Sequence, residues 1–318
     1  MLPAAPSPLL AGDPSRLGRY RLLGRLGRGG MGVVYLGRDQ DGGLVAIKVI
    51  RPKLAANPDY LGRFRREVEL GRKVHGPFVA EVLDAGVDSD QPYLVTAFIE
   101  GQTLQARVRE RGPLSPPEVG RLAVGMAGAL AAIHAAGLVH RDLKPGNVLL
   151  SAAGPRVIDF GVARSVGGRS GRTADGARPG TPEFMAPEQF DGVQVGPAAD
   201  LFAWGGLLVY ASTGRPPFGD KGAAGGVEAL ERRVRYQQPD LGPLDGPLRE
   251  LVAAAMAKLP SGRPTAEALV QRLPPDDPRP TGGPDPTGGT GPTGRRGAAG
   301  RLLGGWALTR LARRQRRR

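Results

Sequence analysis

The run Gly27-Arg28-Gly29-Gly30-Met31-Gly32-Val33-Val34 constrains this chain more than any other, because of what stands on either side of it. Residues 20–26 before it and 32–38 after it are short β-like stretches of Leu, Val and Tyr. Glycines in a G-x-G-x-x-G-x-V spacing remove the Cβ atoms that would separate backbone N–H groups from an anion, so a hairpin here can close over a polyphosphate. A dinucleotide fingerprint opens a helix after a strand, whereas this run lies between two strands, which disfavours a Rossmann reading. Taken alone, the run is read equally well as a structural turn.

The neighbouring residues extend the pattern. Residues 44–50 form a third β-like run, joined to the second by Asp41-Gly42-Gly43, so 20–50 is expected to be a three-strand antiparallel meander. Within it, Val45-Ala46-Ile47-Lys48 sends a lysine out of an apolar strand one hairpin after the glycine loop, aimed at the same phosphates. Residues 59–74 carry Leu61, Phe64, Val68 and Leu70 at helical spacing, and Glu67 in that helix is the natural counter-charge to Lys48, with Glu69 the competing choice. Strands are expected over 80–86 and 93–99. A long Ala/Leu-rich helix follows over 116–136, opened by Ser115 with Glu118 three residues on, a capping box. Beyond the β-like runs 148–150 and 157–158 come helical segments at 200–213, 226–235, 248–259 and 265–273. The fold class is α+β: a small β-rich lobe followed by a larger helical one.

Two further clusters carry chemistry. His140-Arg141-Asp142-Leu143-Lys144-Pro145-Gly146-Asn147 places a carboxylate, an ammonium and an amide within six residues of a loop, fit for base, charge stabiliser and metal ligand. Asp159-Phe160-Gly161 follows an apolar run, and Asp159 near Asn147 would give two oxygen ligands for magnesium, a hard cation that completes its shell from waters and phosphates.

Composition removes other classes. The chain of 318 residues has no cysteine and three histidines, which excludes disulfide scaffolds, Cys-ligated zinc or iron–sulfur centres and a cysteine nucleophile. Gly and Pro make up about a quarter of the residues, and their distribution marks turns and a linker. No stretch approaches the roughly 18 apolar residues of a membrane span. The Pro-broken N-terminus has no basic n-region, so a cytoplasmic location is expected. The formal net charge is +14, and nine arginines (295, 296, 301, 310, 313, 314, 316, 317 and 318) stand without an acid at the C-terminal end. The expected organisation is a disordered segment 1–18, a domain over 19–273 divided near residue 100, a Pro/Gly/Thr-rich linker 274–298 and a basic tail 299–318.

The glycine loop, Val45-Ala46-Ile47-Lys48, the 140–147 cluster, Asp159-Phe160-Gly161 and Ala186-Pro187-Glu188 occur in the order and spacing of the protein kinase signature set. Over about residues 19–273 the chain resembles a bacterial eukaryotic-like (Hanks-type) serine/threonine protein kinase, and its Ala/Gly/Arg/Pro-heavy usage resembles that of actinobacteria. The resemblance implies the bilobal protein-kinase-like fold, ATP as phosphoryl donor and Mg2+, with Mn2+ as substitute. It implies that Gly27, Gly29, Gly30 and Gly32 cover the phosphates, that Lys48 binds them and that Glu67 pairs with Lys48. Val34 and Ala46 above and Leu149 below would sandwich adenine, with Thr96 as gatekeeper, Ala97, Phe98 and Ile99 as hinge and Glu100 near the ribose. Members of the family often carry Glu where Ala97 stands, a change of little weight because hinge contacts are made by backbone. Asp142 would accept the substrate hydroxyl proton, Lys144 would steady the γ-phosphate, and Asn147 with Asp159 would hold the metal.

The resemblance also implies control and support. Lys144 and the Gly180-Thr181 step favour a Ser/Thr acceptor, with Thr181 bridging Asp142 and Lys144. Phosphate on the loop hydroxyls Ser165, Ser170 or, by preference, Thr173 would dock on Arg141. Glu188 is expected to pair with Arg263, Asp200 to cap the catalytic-loop backbone, and His140 to stack behind Phe160, while Trp204, His75 and His134 read as structural. The expected partners are protein substrates, a second copy during autophosphorylation and, through the basic tail, the inner face of an anionic membrane, with no specific nucleic acid. A catalytically silent ATP-binding scaffold, or pseudokinase, is the alternative, and no catalytic group is missing that would favour it.

Overall fold

Short alternating apolar runs joined by tight turns pair with their sequence neighbours, and the N-terminal half does so in register. The computed structural model describes residues 6–160, 181–191, 195–220, 222 and 225–274. The three expected strands are β2 (Tyr20–Arg28), β3 (Gly32–Arg38) and β4 (Leu44–Ile50), preceded by a two-residue β1 (Arg16–Leu17). With β5 (Val82–Gly86) and β6 (Tyr93–Ala97) they form an antiparallel sheet in the order β1-β2-β3-β4-β6-β5. Directly opposed residues share a face, so the pairings Val34 with Lys48 and Ala46 with Thr96 put these four side chains on one side of the sheet. The other side is closed by a core of Leu17, Tyr20, Leu22, Tyr35, Val45, Ile47, Tyr93 and Val95.

Between β4 and β5 lie α1 (Pro52–Ala55) and α2 (Pro58–Gly71). Asn57 caps α2 by accepting from the Tyr60 N–H, Pro58 occupies its first turn, and Tyr60, Phe64, Glu67, Val68 and Gly71 are its buried stripe.

The helical part begins with β7 (Gln102–Thr103) and α3 (Leu104–Arg111), directly after Thr103, where the sequence pattern turns helical without marking this helix's bounds. The long α4 (Pro116–Ala135) starts at the expected capping box, where Ser115 N donates to Glu118 Oε2 at 2.8 Å. After it, β8 (Val148–Ser151) and β9 (Gly154–Val157) form a hairpin that pairs with β7. Then follow α5 (Ala198–Thr213), α6 (Gly226–Tyr236), α7 (Gly246–Ala255) and α8 (Ala266–Arg272). Helix α5 is buried on nearly every side, with Phe202, Trp204, Leu207 and Leu208 at 1% exposure or less, as a helix apolar all round requires. The Trp204 indole donates to the Ala123 carbonyl of α4 at 3.1 Å, so its one polar atom is satisfied.

The N-terminal boundary needs correction. Residues 1–18 were expected to be disordered, yet residues 6–18 lie along the first hairpin. Ser7 and Arg25 exchange backbone hydrogen bonds of 2.9 and 2.7 Å, β1 pairs with β2, and Leu17 is buried. An extended segment has no helical periodicity to betray it, and its three prolines suit an edge-packed strand as well as a coil. Most of the linker and all of the basic tail lie outside the described residues, as do Gly161, Ser165, Ser170 and Thr173. Among the described residues no helix is long and apolar enough to cross a membrane.

Candidate active site

The glycine hairpin is built from two kinds of glycine. At Gly27, Gly29 and Gly30 a Cβ would meet nothing within 4 Å, so these positions face open space. At Gly32 a Cβ would stand 1.8 Å from the Val49 carbonyl oxygen, so this glycine is required by the close approach of β3 to β4. The loop closes through Gly29 N to Gly32 O at 2.9 Å and is braced from outside by the Arg51 guanidinium on Gly29 O at 2.6 Å. Its open, side-chain-free face is a cradle of the shape a polyphosphate fills.

Behind the cradle, Lys48 is largely buried and its Nζ lies 3.1 Å from Asp159 Oδ2. The expected Lys48–Glu67 pair is not formed. Glu67 instead has its Oε1 3.9 Å from the Arg141 guanidinium, and Lys48 takes Asp159. Asp159 adopts φ 58°, a left-handed conformation uncommon for a side-chain-bearing residue.

The 140–147 loop gathers its groups tightly. Lys144 Nζ is 2.9 Å from Asp142 Oδ2, and the Asn147 amide donates to the Asp142 carbonyl at 2.9 Å and to its Oδ2 at 3.3 Å. Because Asn147 spends its N–H groups on Asp142, its amide oxygen is the atom left for a cation. Asn147 and Asp159 therefore supply hard oxygen donors, the set that suits Mg2+ with its remaining ligands from water and phosphate. Among the described residues no group of three or more His, Asp or Glu could hold a metal by itself. Arg141 is the second side-chain-bearing residue in left-handed conformation, at φ 63°. It is held by Asp200, whose Oδ1 accepts from Arg141 N and whose Oδ2 accepts from His140 N, both at 2.8 Å. Phe160 and His140 are both buried.

The adenine side is set by register. Val34, Ala46 and Thr96 are half-buried on the face that carries Lys48, and Leu149 is half-buried on β8. Phe98 and Ile99 follow the end of β6, and Glu100 is exposed. The Ala97 N–H already donates to the Glu81 carbonyl at 3.0 Å.

Two supports anchor the far side. Glu188 and Arg263 form a two-pronged pair of 2.6 and 2.8 Å, and Arg263 donates further to the carbonyls of Ala198, Ala257 and Lys258. Thr181 lines the same cleft as Asp142 and Arg141. Sequence reasoning missed two participants. Gln189 accepts from Ala186 N at 2.9 Å and donates to the Arg141 carbonyl at 3.2 Å, and no local pattern distinguishes such a glutamine. His134 lies 2.8 Å from Asp200 Oδ2, a third partner on that carboxylate; the only signal was its position near the end of α4.

Comparison with known proteins agrees with this geometry. The family model described as "Protein kinase domain" matches residues 20–273. "Probable serine/threonine-protein kinase PkwA" of Thermomonospora curvata is 48% identical over 269 residues, covering 85% of this chain and 36% of the relative. Serine/threonine-protein kinase AfsK of Streptomyces coelicolor is 45% identical over 264 residues, covering 83% and 32%. The chain thus spans about a third of the length of these curated relatives. Among solved structures, the kinase domain of Mycobacterium tuberculosis PknI superposes with a TM-score of 0.61 at 27% identity, covering 83% of this chain and 98% of that one.

Proposed function

Since the chain belongs to the protein kinase family, alongside the serine/threonine kinases of actinobacteria, we propose that it transfers the γ-phosphoryl group of ATP to serine and threonine hydroxyls of protein substrates. The observation that carries this reading is the convergence of Lys144 and Asn147 on the Asp142 carboxylate, at 2.9 and 3.3 Å. Two donors fix that carboxylate in one orientation, which is what a base in a positioning-dominated reaction requires.

The substrate oxygen bonds to the γ-phosphorus as the bond from that phosphorus to the ADP oxygen breaks, and the hydroxyl proton passes to Asp142. Lys144 beside it stabilises the charge on the transferring group. Lys48 and the open glycine face hold the phosphates, and Val34, Ala46, Thr96 and Leu149 hold the base. Asn147 and Asp159 would hold Mg2+, which when bound neutralises charge on the phosphates; Mn2+ would serve the same oxygen donors. On this reading the Lys48–Asp159 pair and the Glu67–Arg141 approach belong to an arrangement that precedes a Lys48–Glu67 pair. Phosphate on Thr173, or on Ser165 or Ser170, would dock on Arg141 and order the loop. That docking is the regulatory part of the proposal.

Beyond the catalytic domain, residues 295–318 would draw the chain to anionic lipid, each arginine near the surface contributing roughly 1 kcal/mol. Autophosphorylation would bring two copies together.

The test is transfer of labelled phosphate from Mg-ATP to the chain itself and to a generic basic protein, with Asp142→Asn as control. Label on Ser and Thr, lost in the variant, is the expected result. ATP binding without transfer, even after phosphorylation of the loop by another kinase, would favour the silent scaffold. Liposome sedimentation with and without residues 295–318 tests the tail.

A further inference from the structure

The segment before β2 does more than cover the sheet edge. Asp13 has a side chain only 5% exposed, and it accepts from Arg25 Nε at 2.7 Å, from the second Arg25 nitrogen at 2.6 Å, from the Tyr35 hydroxyl at 2.7 Å and from Leu10 N at 2.8 Å. The Arg25 guanidinium, with Leu10 N–H and Tyr35, holds this carboxyl well below the usual carboxylate range, although burial acts in the opposite direction. Such a buried, charge-assisted, fully engaged carboxylate is a built contact.

Its location is the informative part. Arg25 lies on β2 and Tyr35 directly opposite on β3, the last pair before the register shift that leads to Gly27. One carboxylate thus ties together both strands of the hairpin whose tip is the phosphate cradle. The Arg25 backbone is also bound on its outer side by Ser7. Gly24 permits this, since a Cβ there would stand 2.8 Å from the Ser7 carbonyl oxygen and 3.0 Å from Pro6 Cβ. Leu9 packs on the core of the same sheet face as Tyr35. The tip is braced separately by Arg51. At the bulge between base and tip, where the ladder is locally interrupted and a hairpin bends most readily, Asp13 supplies the fixation that the ladder does not.

We propose that residues 6–17 are a strap that pre-orients the glycine hairpin for nucleotide phosphates, with Asp13 as the positioning residue. Asp13 acts through Arg25 and Tyr35 and touches no reacting atom. A hairpin fixed at its base loses less freedom when the triphosphate binds, so the strap favours ligands that carry phosphates and leaves adenosine unaffected. This inference rests on the kinase reading above.

The experiment measures affinity for ATP and for adenosine, with KM for ATP and kcat, in the full chain and in Asp13→Asn, Asp13→Glu and the milder Tyr35→Phe. Asp13→Asn is expected to weaken ATP about three- to tenfold, in Kd and KM alike, with adenosine affinity and kcat within about twofold of the parent. Tyr35→Phe should show the same selectivity to a smaller degree, and it stands in if the Asn variant does not fold. Asp13→Glu, which keeps the charge, should recover part of the loss. ATP and adenosine weakened in parallel, or ATP affinity unchanged in folded variants, would overturn the strap while leaving the kinase reading intact. A parent chain that binds neither ligand would overturn both.

Discussion

Asp200 Oδ1 accepts the backbone N–H of Arg141 at 2.8 Å, and Arg141 is the residue in the 140–147 loop whose φ of 63° a side chain rarely tolerates. A buried carboxylate on the central helix α5 is therefore what keeps the loop in a conformation that costs about 1–3 kcal/mol to hold. The same carboxylate receives His140 N and faces His134. Replacing Asp200 by Asn leaves one oxygen and one NH2 for three donors. The expected outcome is a loss of about 2–4 kcal/mol, a Tm lowered by roughly 5–15 °C and a kcat reduced at least tenfold, read by calorimetry and single-turnover assay.

Asp159 predicts the opposite separation. Its carboxylate is a third exposed and its one ion-pair partner among the described residues is Lys48. Asp159→Ala should nearly abolish phosphate transfer while Tm stays within a few degrees of the parent, and EDTA should abolish transfer by the parent chain. A variant that keeps its activity would remove Asp159 from the metal site.

The two kinds of glycine in the hairpin should part company on mutation. Gly32→Ala drives a Cβ into the Val49 backbone and should destabilise the fold, with no flexible side chain to give way. Gly29→Ala enters open space and should preserve Tm while raising KM for ATP. Thermal melts and steady-state kinetics on the two variants distinguish them.

The Glu188–Arg263 pair joins the segment after Thr181 to the stretch ahead of α8, with Arg263 fully buried. Glu188→Gln strands a buried guanidinium, and removing one partner of such a pair costs about 3–5 kcal/mol. Urea unfolding should show the loss in the midpoint.

Lys258 titrates out of its ordinary range. Partial burial, and next to it the charge of Arg263, pull its ammonium from 10.5 down to about 8, while Nζ donates to the Val234 carbonyl at 2.7 Å and sits over the Phe218 ring. The folded pKa lies below the unfolded one, so the charged form costs stability below pH 8 and the cost disappears as pH rises from about 8 towards 10.5. Acetic anhydride labelling followed by mass spectrometry should show Lys258 becoming reactive as pH rises through about 8.

What could be read beforehand was whatever declares itself locally. The hairpins at Gly27–Gly32 and Asp41–Gly43, the capped α4 and the acid–amide loop at 140–147 are each specified by neighbours in sequence, and the structure has them within a few residues of the expected bounds. Helix α3 had no legible bounds because five of its eight residues are polar, Leu104-Gln-Ala-Arg-Val-Arg-Glu-Arg, with only Leu104 and Val108 buried. Its side-chain cap, Thr103, is neutral evidence without an apolar stripe behind it. The contact Lys48 makes in this arrangement was illegible for a different reason. Lys48, Glu67, Arg141 and Asp159 are brought together from four separate elements, and which cation takes which carboxylate is a matter of tertiary placement that no spacing encodes. The strap was hidden for the same reason, since Asp13 acquires meaning only when Arg25 and Tyr35 are paired across strands.

The bridge between Ser7 and Arg25 has a practical side. It fixes Ser7 to β2 two residues from Gly27, so an affinity handle or a reporter domain spliced just ahead of Pro6 is tethered close to the glycine hairpin. The exposed loop Asp88–Gln91, remote in sequence from that bridge, is the safer place to attach a label.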